Sequence, residues 1–165
     1  MKKIILLFTL FLSAYTFSQK EIKLDIADAL VIKSLEFSFE KYVAEDSSVG
    51  ISVLFNLTDQ DIDFRYNENM MITPYYRHYF STNKQWNFFG EGFMGINSGK
   101  KETVKDSGDY DIKYTDGALG IAVGTKYTAT SGLVIDAYAG VGRNLFGSES
   151  PILVPRIGLN IGWRM

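Results

Sequence analysis

The closing segment Val154–Met165 constrains this chain more than any other part of it. Read as a strand, it places Ile157, Leu159, Ile161, Trp163 and Met165 on one face. Arg156, Gly158, Asn160, Gly162 and Arg164 fall on the other. Side chains alternate between faces along a strand, so this pattern asks for one oily environment and one narrow, polar one. A strand of a membrane β-barrel meets both demands, with lipid outside and a lumen inside.

The same alternation recurs upstream. Glu21–Asp28 sets Ile22, Leu24 and Ile26 against Lys23, Asp25 and Ala27, and Ser34–Tyr42 sets Leu35, Phe37 and Phe39 against Glu36, Ser38 and Glu40. Val49–Leu57, Met70–Phe80 and Trp86–Ser98 follow. Gly117–Thr128 is the cleanest, with Leu119, Ile121, Val123 and Tyr127 opposite Ala118, Gly120, Ala122, Gly124 and Lys126. Gly132–Asn144 precedes the closing segment. Each is about as long as a tilted strand needs to be to cross a bilayer. The expected fold is therefore all-β: an eight-stranded antiparallel up-and-down transmembrane β-barrel spanning residues 20–165. Residues 1–19 read as a secretory signal peptide, with Lys2 and Lys3 before the apolar run Ile4–Leu12. Export together with a barrel predicts the outer membrane of a Gram-negative bacterium.

The connections alternate in length. Ala44–Ser48, Ser81–Gln85 and Ala129–Ser131 are tight, whereas Thr58–Asn69 and Gly99–Thr115 are long and charged, and Phe146–Leu153 is intermediate. Short periplasmic turns and longer outer loops are the rule for such barrels. Tyr42, Phe80, Trp86, Phe88, Tyr127 and Trp163 sit beside predicted periplasmic turns or termini. They read as an aromatic girdle at that interface.

An eight-stranded barrel has an interior that side chains fill. The inward set includes the acids Glu36, Glu40, Glu91 and Asp136 and the bases Arg77, Lys126, Arg156 and Arg164. Buried charges need partners, so these are expected to form a structural network plugging the lumen rather than an active site.

Catalytic and binding chemistry is sparse. The chain has no cysteine, which excludes a lipoprotein anchor, a disulfide and a thiolate metal site. Its net charge of −2, more acidic still without Lys2 and Lys3, argues against nucleic-acid binding. The single histidine, His78, is expected to face lipid near the periplasmic side, away from Glu40 and Glu91. Ser81 is near it in sequence but lies in the turn, so no catalytic set is expected. Gly140-Val-Gly142 lies inside a strand and opens no helix, which rules out a dinucleotide loop. Asp59-Gln-Asp61-Ile-Asp63 has the start of a calcium loop, but Phe64 and Met70 stand where that loop needs glycine and a bidentate glutamate. It reads as a solvated loop. No cofactor or metal is expected.

Several segments resemble small outer-membrane barrels of Bacteroidota. They are Met1–Gln19, Ile72-Thr-Pro-Tyr-Tyr-Arg-His-Tyr-Phe80, Phe89-Gly-Glu-Gly-Phe93, Gly140-Val-Gly-Arg-Asn144 and the segment from Pro155 to Arg164. The architecture is similar to the OmpA membrane domain and OmpX. The resemblance implies insertion by the outer-membrane assembly machinery, with outer-membrane lipids and lipopolysaccharide as surroundings. It carries over no catalytic residues. A non-enzymatic structural or surface-interaction barrel acting through its outer loops is the expected function. A narrow pore for small or hydrophobic solutes is the alternative, and a lipid-modifying enzyme comes after it. The architectural rival is a soluble lipocalin-like barrel, which would turn the apolar faces inward.

Overall fold

A computed structural model describes residues 19–27, 29–30, 33–57, 68–81, 85–105, 108–147 and 150–165. All of the expected signal peptide except Gln19 lies outside them, as do most of the 58–69 loop and its calcium-like aspartates. Eight strands follow one another around a closed barrel: β1 (Lys20–Asp25), β2 (Ser34–Ala44), β3 (Ser47–Asn56), β4 (Glu68–Tyr79), β5 (Trp86–Lys105), β6 (Gly108–Thr128), β7 (Leu133–Asn144) and β8 (Leu153–Arg164). Every neighbouring pair is antiparallel, and β1 closes on β8 with Glu21 opposite Arg164 and Leu24 opposite Ile161. Closure leaves no sheet edge within the barrel, so the backbone polar groups are satisfied without water.

Alternation sorts the side chains as the expected orientation requires. Ile121 and Val123 are exposed at 72% and 68%, while Arg77 and Glu91 keep only 1% and 3% of their surface. The soluble, apolar-centred arrangement is thereby excluded. Oily side chains on the outside gain from hydrocarbon, and charged ones inside must find each other.

Three expectations are corrected. First, 99–105 and 108–115 are strand rather than loop. β5 and β6 run for 20 and 21 residues and stay paired from Gly99 opposite Tyr114 to Lys105 opposite Gly108. β4 leaves β5 at Gly99, and β7 joins β6 only at Ala118. The hairpin therefore projects beyond the barrel wall as a two-stranded ribbon. Second, β1 ends at Asp25 rather than Asp28. Third, Tyr42 is buried, not part of an interfacial girdle. Its hydroxyl lies inside the barrel, taking a hydrogen bond from Arg164 Nη2 at 2.9 Å. Phe80, Trp86, Phe88 and Trp163 are exposed on the outer face, and Tyr127 is half-buried against Trp86, with ring centroids 5.0 Å apart.

The β7–β8 side of the barrel begins at a turn that only glycine fits without strain. Gly132 adopts φ +96°, its N–H donates to Ala129 O at 3.0 Å, and its carbonyl accepts from Arg164 N at 2.8 Å. A β-carbon there would also stand 3.1 Å from the Trp163 ring. Gly132→Ala is expected to cost about 1–2 kcal/mol from the left-handed backbone alone. The check is a lowered urea midpoint for unfolding in lipid vesicles.

Candidate functional site

The lumen carries the chemistry of this molecule. Each strand contributes inward residues because the period-two alternation leaves every second side chain facing the barrel axis. β1 supplies Glu21 and Lys23, β2 supplies Glu36 and Glu40, β4 supplies Arg77, and β5 supplies Glu91. Lys126 comes from β6, Asp136 from β7, and Arg156 and Arg164 from β8.

These groups form one chain of alternating sign. Arg164 Nη2 lies 2.6 Å from Glu21 Oε1, and Glu21 Oε2 lies 2.7 Å from Lys126 Nζ. Lys126 Nζ meets Glu40 Oε1 at 2.7 Å, and Glu40 Oε2 meets Lys23 Nζ at 2.6 Å. Lys23 continues to Asp136 Oδ2 at 2.6 Å, which also takes Arg77 Nη1 at 2.8 Å. Arg77 Nε and Arg156 Nε clasp the two oxygens of Glu91, each at 2.6 Å. Arg156 Nη1 ends the chain on Glu36 at 3.3 Å. Five carboxylates and five cations alternate without a gap. Taking such ions out of water costs several kcal/mol apiece, and the pairing offsets that cost only when geometry is close and the remaining donors are satisfied.

Aromatic rings complete the packing. The Arg77 guanidinium stands 4.2 Å from the Phe89 ring centre and 4.8 Å from that of Tyr75. Arg156 lies 4.9 Å from the Tyr138 ring centre. Ring faces attract these cations, more so where water is excluded. Glu40 also accepts hydrogen bonds from Ser48 Oγ at 2.6 Å and from the Tyr79 hydroxyl. The network thus spans the bore from the Arg164 end to Glu36 and fills it with side chains.

At the ribbon end of the lumen, Asp116 fastens the β7–β8 connection. Its carboxylate accepts from Gly117 N at 2.6 Å, Phe146 N at 3.0 Å and Gly147 N at 2.8 Å, and from Ser150 Oγ. Asn97 donates to Asn144 at 2.8 Å beside it.

His78 lies outside the barrel, on the side of the tight turns. Its Nδ1 is 3.5 Å from Ser47 Oγ and 4.0 Å from Asp46 Oδ2. Ser47 donates instead to Asp46 at 2.9 Å and accepts from the Tyr76 hydroxyl at 3.0 Å. A proton relay needs the nucleophile on one ring nitrogen and the orienting acid on the other. Here serine and acid crowd the same nitrogen, so these residues form a polar patch and not a relay. Among the described residues no cluster of histidine and carboxylates could hold a metal ion.

The profile of a family described as "Protein of unknown function (DUF3575)" matches residues 3–149. The chain belongs to this family. No curated protein matches its sequence. As a DUF3575 member it is similar in fold to the N-terminal β-barrel domain of OprF from Pseudomonas aeruginosa, at 13% identity and a TM-score of 0.63. That match covers 89% of this chain and 96% of the other. Neisserial surface protein A gives 11% identity and a TM-score of 0.55, covering 89% and 95%. The Yersinia pestis outer membrane protein Ail, in a phospholipid nanodisc, gives 13% and 0.50, covering 90% and 99%.

Of the residues expected in the lumen of this DUF3575 barrel, Glu36, Glu40, Arg77, Glu91, Lys126, Asp136 and Arg156 lie buried in one network, and Arg164 joins it half-buried. Sequence reasoning left out Glu21, Lys23 and the hydroxyls of Tyr42, Tyr75 and Tyr79. Lys23 was already on the polar face of its segment, and Tyr42 shares the parity of Glu36 and Glu40. Both signals were present in the alternation.

Proposed function

We propose that the protein is a non-enzymatic barrel of the outer membrane of a Gram-negative bacterium, with a closed lumen and a surface-interaction role. Insertion by the outer-membrane assembly machinery and surroundings of outer-membrane lipid and lipopolysaccharide belong to the same proposal. The observation that carries it is the β5–β6 ribbon. It extends from the end opposite the tight turns, by about 20 Å for the six residues past Gly99. Both its outer edges lack strand partners among the described residues, so rows of main-chain donors and acceptors are free to pair with an extended segment of another molecule.

The ion-pair chain across the bore speaks for a display scaffold over a narrow pore. Planar bilayers containing the protein are expected to stay silent at all voltages, and steady single-channel steps would overturn the closed-lumen reading. For the ribbon, Thr103→Cys is expected to react with a membrane-impermeant maleimide on intact cells. No labelling of a correctly folded protein would refute its surface display. Folding is read independently as a change in electrophoretic mobility on boiling.

A further inference from the structure

The outer wall holds a groove of about 500 Å³ formed by Leu119, Gly120, Ile121, Val141, Arg143 and Leu153, with Gly142 at its base. Its surface is apolar apart from one guanidinium. Arg143 ends the outward row of β7, after Leu133, Ile135, Ala137, Ala139 and Val141. Ten residues at about 3.3 Å each, on a strand tilted by roughly 40°, climb roughly 25 Å, the height of the apolar band of such barrels. Arg143 therefore stands where hydrocarbon gives way to headgroups, on the ribbon side. Among the described residues it has no ion-pair partner. Beyond it Leu145, Phe146 and Ile152 remain exposed, so the cation sits within an oily rim rather than in open water.

A cation in that setting selects an amphiphile with an anion at the same height. Guanidinium binds phosphate through paired, charge-assisted hydrogen bonds. We propose that this groove holds a phosphorylated, multiply acylated glycolipid of the lipid A type, one acyl chain lying along Ile121 and Val141 and one phosphate on Arg143. The choice of lipid A over a glycerophospholipid rests on the outer-membrane reading above, since Arg143 then lies in the outward leaflet, which lipid A builds.

Native mass spectrometry of the full barrel, purified in detergent micelles and titrated with bisphosphorylated lipid A, tests the site. Retention of one lipid A is expected. Arg143→Gln should lower retention by about tenfold, as should lipid A stripped of its phosphates. Because Arg143 points outward, the mobility change on boiling should persist in the variant. Equal retention by Arg143→Gln, or of the phosphate-free lipid, would overturn the site. Retention of phosphatidylglycerol as strong as that of lipid A would overturn the choice of lipid. Micelles have no sidedness, so failure of surface labelling at Thr103→Cys with lipid A still retained would tell against ribbon display and not against this groove.

Discussion

Replacing Glu40 with alanine is expected to lower the free energy of unfolding by about 3–5 kcal/mol, the usual cost of stranding buried charge. Glu40 is fully buried, and its two oxygens meet Lys126 at 2.7 Å, Lys23 at 2.6 Å and Arg77 at 3.2 Å. Without it, Lys126 keeps Glu21, Lys23 and Arg77 share Asp136, and the bore carries one uncompensated positive charge. The hydroxyls of Ser48 and Tyr79 lose their acceptor as well. Glu40→Gln keeps the volume and an acceptor oxygen but loses the charge, so its effect should fall between alanine and wild type. Glu45→Ala, at an exposed position in the β2–β3 turn, should stay within about 0.5 kcal/mol of wild type. The measurement is urea unfolding in lipid vesicles, followed by tryptophan fluorescence and by mobility on gels. Pairing Glu40→Ala with Lys23→Ala should recover part of the loss, because the second substitution removes one of the stranded cations. A loss below about 1 kcal/mol for Glu40→Ala would mean that water enters the bore and screens the network.

Strand alternation is legible only where the two faces of a strand meet different surroundings. Within the membrane, lipid and lumen make opposite demands on neighbouring residues, so β6 between Gly117 and Thr128 announces both its conformation and its orientation. Past the bilayer both faces of a strand meet water and that contrast vanishes. The charged stretch 99–115 consequently reads as a loop, although Asp106-Ser-Gly108 supplies a turn signal for the hairpin that the structure shows. β1 is the converse case. Its six residues are too short to show a strong period, yet it places Glu21 and Lys23 in the charge chain, Glu21 near the Arg164 end and Lys23 at the middle. Tyr42 lies next to a turn, yet its position two residues after Glu40 assigns it to the lumen, where the structure places it. Parity along a strand is the stronger guide, because it is fixed by backbone geometry, whereas aromatic residues flank turns for several reasons. What sequence could not supply is the order of the pairs, since Lys23 reaches Glu40 and Asp136 across the barrel from different strands.

Gly140→Val is expected to cost about 3 kcal/mol or more, at the upper end of the overpacking range, and to reduce the fraction of protein that inserts. A β-carbon at Gly140 would collide with the Ala122 side chain and the Ile121 carbonyl, and would approach Ala122 Cα at 2.6 Å. Gly140 and Ala122 are register partners on the inward face of β7 and β6, so relief would require the two strands to part. Backbone cannot give way as a flexible side chain does, and opening the ladder exposes amide groups where no water is available. Gly92 makes the matching control. It faces outward on β5, and a β-carbon there would meet nothing within 4 Å. Gly92→Val adds an apolar, β-branched side chain to a lipid-facing strand position, which should leave stability unchanged or slightly raised. The same chemical change thus has opposite consequences on the two faces, and vesicle unfolding together with the boiled and unboiled gel mobilities reads both. Equal tolerance at the two sites would mean that β6 and β7 are not packed this closely. A reversed order, with Gly92→Val the damaging change, would mean that the polar face of these strands is turned toward the membrane.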